Sequence, residues 1–333
     1  MTTYRKLFLG LGLAALAPLA AHAAESTILN ASYDVSRELY KEINPAFTAY
    51  WKASMGQDVT VNQSHGGSTK QAKSVAEGLE ADVVTLNQAT DLDFLAGKGV
   101  IDKDWKSKFP NDAAPYTTTS IFIVRKGNPN GIKDWSDLVK PGTSVVIPNP
   151  KTSGNGRYTY LAAWGYALEH EKSEDKARAF VTKLFANVPV FDGGGRGATT
   201  TFTQRDVGDV LVTFENEVAL LKTEFGDKFD VIYPSLSIEA APPIAVNTLV
   251  TAKRGTAEIA KGYLDFLYSP EAQKIIVKQG FRPRDAAVLA EAKLPAITTF
   301  RVEDKIGSWA EAQKTHFADG GVYDQITAPS KSN

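Results

Sequence analysis

One local pattern constrains this chain more than any other: a short β-branched run, a Gly/Ser-rich turn, then a helical period, three times over. Thr143 to Ile147 is β-branched and flanked by turn residues, which predicts a buried strand. It runs into Pro148-Asn-Pro-Lys-Thr-Ser153-Gly-Asn-Gly156, and Leu161, Trp164/Gly165 and Leu168 then recur at helical spacing. Ser153 stands where an N-cap belongs, so the helix is expected to start at Gly154. The second copy is Asp58 to Val61 running into Asn62-Gln-Ser-His65-Gly-Gly-Ser68-Thr-Lys70, and the third is Val188 to Phe191 running into Asp192-Gly-Gly-Gly195-Arg196-Gly-Ala-Thr199.

Each such turn can capture an anion. The first N–H groups of a helix have no partner inside it, the aligned peptide dipoles leave about half a positive charge there, and glycine lets a ligand approach the backbone. One isolated copy is also what an ordinary connection looks like. Three copies converging on one ligand would present about +1.5 charge without any fixed cation, by adding the half-charges.

Strands at Ser26–Ala31 and Ala81–Leu86 alternate with helical stretches, among them a helix with Leu39, Ile43, Phe47 and Tyr50 on one face and Asp34 or Ser36 at its start. That alternation predicts an α/β fold. Two longer β-rich runs, Tyr116–Val124 and Pro242–Thr251, are each long enough to pass between two lobes. Lobe one is therefore expected at 24–115 plus 246–333 and lobe two at 116–245. The C-terminal part is expected to be helical at 257–267, 270–279 and 308–317.

Arg5 and Lys6 precede the apolar run Leu7–Ala20 and the small-residue site Ala21-His22-Ala23, which together read as a signal peptide spanning 1–23. Its removal takes Lys+Arg from 37 to 35 against 38 Asp+Glu, a net charge of −3. That balance opposes a nucleic-acid partner, so anion binding has to come from a local site. There is no cysteine, which excludes disulfides, thiol catalysis and a cysteine-linked lipid anchor. No further apolar stretch approaches membrane-spanning length, and a soluble, monomeric exported protein is expected.

Catalytic patterns are poorly served. Gly193-x-Gly195-x-x-Ala198 imitates a dinucleotide fingerprint but lacks an acidic residue at a following strand end. Neither Ser68 nor Ser153 lies in G-x-S-x-G, and no His/carboxylate pair has metal-ligand spacing, so no cofactor or metal is expected. His65 either touches a ligand or steadies Ser64 in the loop. His170 and His316 read as solvated, Arg157 and Lys70 as surface charges, Tyr158, Tyr160, Trp164 and Tyr166 as packing residues, and Arg196, between glycines, as a support behind the anion.

Ser32-Tyr-Asp-Val-Ser-Arg-Glu-Leu39, Gln63-Ser-His-Gly-Gly-Ser-Thr-Lys-Gln-Ala72, Pro148-Asn-Pro-Lys-Thr-Ser-Gly154, Gly195-Arg-Gly-Ala-Thr-Thr-Thr-Phe202 and Tyr268-Ser-Pro-Glu-Ala-Gln273 closely resemble the periplasmic sulfate- and thiosulfate-binding proteins of ABC importers. The resemblance implies a two-lobed type II periplasmic-binding fold with two crossing strands as its hinge, closing over a dehydrated tetrahedral dianion that is passed to membrane permease subunits. By similarity the donors are the backbone N–H groups of Asp34, Ser68, Gly154, Asn155 and Gly195 and the Ser153 hydroxyl. Sulfate carries no proton near neutral pH, so a site of donors would favour it over hydrogen phosphate. One position departs from sulfate-binding members, where a tryptophan N–H completes the shell: here it is Phe214, which cannot donate. Phe214, Thr85-Leu-Asn-Gln88 and Phe300-Arg-Val-Glu-Asp304 resemble the thiosulfate-binding branch, and both anions are expected to bind. The alternatives are a phosphate, molybdate or iron receptor, or an exported ester hydrolase.

Overall fold

The computed structural model describes residues 26–328. The expected signal peptide lies outside the described residues. Two sheets organise the chain. The first has strand order β2-β1-β3-β9, from β1 (Thr27–Tyr33), β2 (Thr60–Gly66), β3 (Val83–Thr85) and β9 (Ile244–Val246). β1 is parallel to β2 and β3, whereas β9 runs antiparallel to β3. The second sheet is built on β4 (Tyr116–Arg125), with β5 (Val145–Val146), β6 (Val210–Phe214), β7 (Phe229–Ile232), β8 (Ser237–Ala240), β10 (Arg282–Pro283) and β11 (Thr299–Phe300). The chain enters the second sheet at Tyr116, returns to the first between Ala240 and Ile244, and later adds β10 and β11 to the second.

Parallel strands require crossovers, and the helices supply them. They are α1 (Arg37–Met55), α2 (Ser68–Ala76), α3 (Ala89–Gly97), a left-handed turn α4 (Pro110–Ala113), α5 (Gly154–Glu171), α6 (Glu174–Ala186), α7 (Gly195–Thr203) and α8 (Glu217–Phe225). α5 is buried along nearly its whole length, from Gly154 to Ala167. Its apolar residues from Tyr158 to Ala167 are covered by neighbours that include α6 and β8, while the buried polar Asn155, Arg157 and Thr159 fall in its first two turns.

Several sequence expectations are corrected. Val188–Phe191 is extended but joins no ladder; it lies beside β5, tied by Val145 N–H to Asn187 O (2.9 Å) and Asn149 N–H to Asp192 O (2.8 Å). Pro189 has no N–H to offer a ladder. The run 242–251 keeps only the three residues of β9. Two prolines precede it, and Asn247 ends it by accepting from Val250 N–H and capping the helix Thr248–Arg254. β2 continues to Gly66 because all seven of its residues find partners on β1, which shrinks the expected turn to Gly67. The short strands β10 and β11 had no sequence signal.

β11 is held by packing as well as pairing. A β-carbon on Gly165, in the middle of α5, would fall inside the buried Phe300 ring. Alanine is normally the better helix former by about 1 kcal/mol. Here Gly165→Ala is expected to lower stability by about 1–3 kcal/mol through overpacking, measured as a lower midpoint in urea or on heating; a raised midpoint would contradict this packing.

Candidate anion-binding cleft

Four chain segments begin a helix at the same place. A three-residue 3₁₀ turn, Asp34–Ser36, follows β1; α2 follows β2 after the single residue Gly67; α5 follows β5; and α7 follows Asp192-Gly-Gly194. The glycines show how closely these starts approach. A β-carbon on Gly67 would stand 2.5 Å from the Thr152 carbonyl oxygen and 2.8 Å from that of Gly193. One on Gly154 would overlap the Asn87 carboxamide, one on Gly194 the Asp34 carboxylate, and one on Gly195 would lie 2.8 Å from Val35 Cγ1. Asp34, Val35, Gly67 and Asn87 belong to the first-sheet side, and Thr152, Gly154 and Gly193–Gly195 to the second. The two sides therefore meet backbone to backbone, with helix N-termini from both facing one cleft.

The arginines near the cleft are committed elsewhere. Arg196 Nη2 lies 2.7 Å from Glu38 and 3.2 Å from Glu217. Arg157, expected at the surface, is buried: Nε donates to Pro150 O (2.8 Å), Nη1 to Gln313 Oε1 (2.7 Å), and its guanidinium lies over the Phe317 ring. Lys70 is exposed. Positive potential at the cleft comes from peptide dipoles, about half a charge for each α-helix start.

Asp34 is buried, and its carboxylate accepts the Arg196 backbone N–H (3.0 Å), filling one of the open donors at the start of α7. Burial pushes this carboxyl above its usual range, against that hydrogen bond. The Ser68 hydroxyl donates to Asp91 Oδ2 (2.6 Å) and accepts from Asn87 N–H (3.1 Å), so it stiffens the start of α2. Thr69 donates to the same carboxylate (3.0 Å). Ser153 caps α5 by accepting from Gly156 N–H at 3.4 Å, and its own hydroxyl hydrogen is given to no protein group among the described residues. Gly154, Asn155 and Gly195 are buried in first helical turns, where N–H groups lack intrahelical acceptors.

Phe214 is fully buried at the end of β6, edge-on to Tyr158 with ring centroids 5.7 Å apart. His65 is half-buried at the end of β2, not in a turn; its Nε2 meets Gln63 Oε1 (2.8 Å), whereas Ser64 pairs with Gln71. Burial lowers His65 to about 4, so it is neutral near pH 7. His316, expected to be solvated, is buried with Nδ1 2.9 Å from the Tyr160 hydroxyl.

Sequence reasoning missed Asn87, Asp91, Glu38 and Glu217. Asp91 carried a weak signal as an acid in the first turn of α3, three residues after Gln88. The side-chain oxygens of Asn87 and Asn155 are buried without hydrogen-bond partners among the described residues.

The chain as a whole has known relatives. A family model described as bacterial extracellular solute-binding protein matches residues 28–282. A thiosulfate-binding protein of Pseudomonas aeruginosa is 56% identical over 315 residues, 93% of this chain and 95% of that one. A sulfate-binding protein of Escherichia coli is 51% identical over 316 residues, covering 94% and 96%. The solved structure of the sulfate-binding protein SubI from Mycobacterium tuberculosis H37Rv superposes with a TM-score of 0.79 at 31% identity, covering 87% of this chain and 99% of that one.

Two outcomes follow from the geometry. Gly154→Ala puts a methyl group into Asn87 across the cleft, so small-angle scattering in saturating sulfate should show a chain that stays more expanded than wild type, with sulfate bound roughly tenfold or more weakly; wild-type compaction would remove the steric argument. Glu217 is raised to about 7, chiefly by burial and against the attraction of Arg196. Since its unfolded value is near 4.5, the folded state holds the extra proton between those values, and this group's contribution to stability falls as pH rises from about 4.5 through 7. Glu217→Gln should therefore gain thermal midpoint relative to wild type across that window. A difference that does not vary with pH would show that Glu217 does not titrate there.

Proposed function

The chain belongs to the bacterial extracellular solute-binding protein family, and from that membership we propose that it captures inorganic sulfate and thiosulfate in the periplasm for uptake by an ABC importer. The observation that carries this reading is the meeting of helix N-termini from both sheets in one cleft, with the neighbouring arginines held by other groups. Backbone N–H groups at Asp34, Ser68, Gly154, Asn155 and Gly195, together with the Ser153 hydroxyl, are the donors in this reading, and Arg196 and His65 stand behind them. The names of the relatives, thiosulfate-binding and sulfate-binding, support the same ligand class.

Lobe closure is the mechanism we assign. The chain passes between the sheets before Tyr116 and at 240–244, and its C-terminal part then adds β10 and β11 to the second sheet; in this reading the first two passages serve as the hinge of lobe one (24–115 plus 246–333) and lobe two (116–245). An open form exposes half-sites. An anion touching both lobes stabilises the closed form, which the membrane permease subunits then recognise. Binding and release without turnover is the role of such a receptor, and the relatives are binding proteins.

Phe214 has no donor and packs edge-on against Tyr158, and in this reading its ring stands beside the anion, where it suits a terminal sulfur better than a fourth oxygen. Calorimetric titration of refolded, anion-free chain with sulfate, thiosulfate, phosphate and molybdate tests the reading. One-to-one binding of sulfate and thiosulfate at least a hundredfold tighter than phosphate is expected. Equal binding of phosphate, or silence with all four anions, would overturn it.

A further inference from the structure

The first turn of α5 is Gly154-Asn155-Gly156, and two of its three positions cannot carry a side chain. A β-carbon on Gly154 would overlap Asn87, and one on Gly156 would overlap the Pro148 carbonyl oxygen. Asn155 is therefore the one side chain in that turn, and it is 1% exposed. Its Nδ2 lies 3.0 Å from where Gly195 would carry a β-carbon and donates to Thr213 Oγ1 at 3.2 Å. The carboxamide thus sits between the start of α5, the start of α7 and the end of β6. Its Oδ1 is buried with no hydrogen-bond partner among the described residues.

An unpaired buried carbonyl oxygen is costly, and beside a bound dianion it would also be repelled. A half-turn of the amide removes both problems. Thr213 Oγ1–H then donates to Oδ1, the bond to Thr213 is kept with donor and acceptor exchanged, and Nδ2 takes the unpartnered position with both hydrogens free. No hydrogen bond is lost by the rotation. A buried acceptor without a partner is replaced by a donor free to meet an anion.

We propose that the Asn155 side chain, in addition to its backbone N–H, contacts the bound anion through Nδ2, oriented by the Thr213 hydroxyl, and supplies a side-chain donor where the neighbouring Phe214 supplies none. This rests on the sulfate and thiosulfate reading above. The glycines on either side explain why the donor is found at this position: they clear the space that both lobes need to close, and leave one amide in the gap.

The experiment compares wild type, Asn155→Gly, Asn155→Asp and Thr213→Val in calorimetric titrations with sulfate and thiosulfate, with thermal unfolding of each anion-free protein. Asn155→Gly keeps the backbone N–H and should bind sulfate roughly tenfold or more weakly. Asn155→Asp, nearly isosteric but an acceptor only, should lose binding while keeping a wild-type circular dichroism spectrum. Thr213→Val should weaken binding about threefold or more, because the amide is no longer oriented. In wild type, the Asn155 side-chain ¹⁵NH₂ pair, identified by its loss in Asn155→Asp, should shift on sulfate saturation. If Asn155→Gly or Asn155→Asp binds within twofold of wild type, or the ¹⁵NH₂ pair does not move, the inference is overturned while the functional reading stands. Wild type that binds neither anion overturns both.

Discussion

Unsatisfied backbone N–H groups at helix starts are the constraint on which the rest of this structure depends. A helix that begins inside a protein has to find acceptors for its first amides, and in this chain four such starts face one cleft. Some are satisfied internally, as Asp34 serves Arg196 N–H and Ser153 serves Gly156 N–H. The remaining amides make the cleft a place where an anion removes a cost. Binding and folding thus use the same physical groups, and the glycines at 67, 154, 194 and 195 are the condition for both, since any side chain there would meet the opposite lobe.

Charge is arranged around this cleft so that it does not enter it. Arg196 projects from α7 to Glu38 on α1 and to Glu217 on α8. Burial raises both Asp34 and Glu217 against the attraction of Arg196, and for Glu217 the nearby Asp34 and Glu38 carboxyls add to the rise. The cation ties elements from the two sides while its own charge is met by its neighbours. A local site made of dipoles also explains how a chain with more acidic than basic residues can attract an anion.

Behind the cleft, a buried tyrosine group links the first sheet to the crossing strand. The Tyr33 hydroxyl donates to Tyr116 at 3.4 Å, and Tyr40 lies 3.5 Å from the same oxygen. Tyr33 precedes Asp34, and Tyr116 opens β4. Burial raises all three, so they stay neutral and act as hydrogen-bonding props. The turn at Asp34 is thereby fixed to the strand on which the second sheet is built.

Much of this was legible in the residues. Local chemistry wrote the α5 start, with Ser153 as its cap, and the length of β4, because capping and β-branched runs act between near neighbours. Gly-rich turns marked the other helix starts for the same reason. What escaped were contacts between distant parts of the chain: Tyr160 with His316, Arg157 with Gln313, and Gly165 with Phe300. Two-residue strands such as β10 and β11 carry no period to read, and the prolines at 189, 242 and 243 cut expected strands short. The sequence by itself determined that helix N-termini would be offered at glycine turns, since a cap and a missing side chain are properties of single positions. Only the tertiary structure decided that those termini face one another and that the arginines beside them are already paired, because both depend on where the two sheets bring residues far apart in the chain.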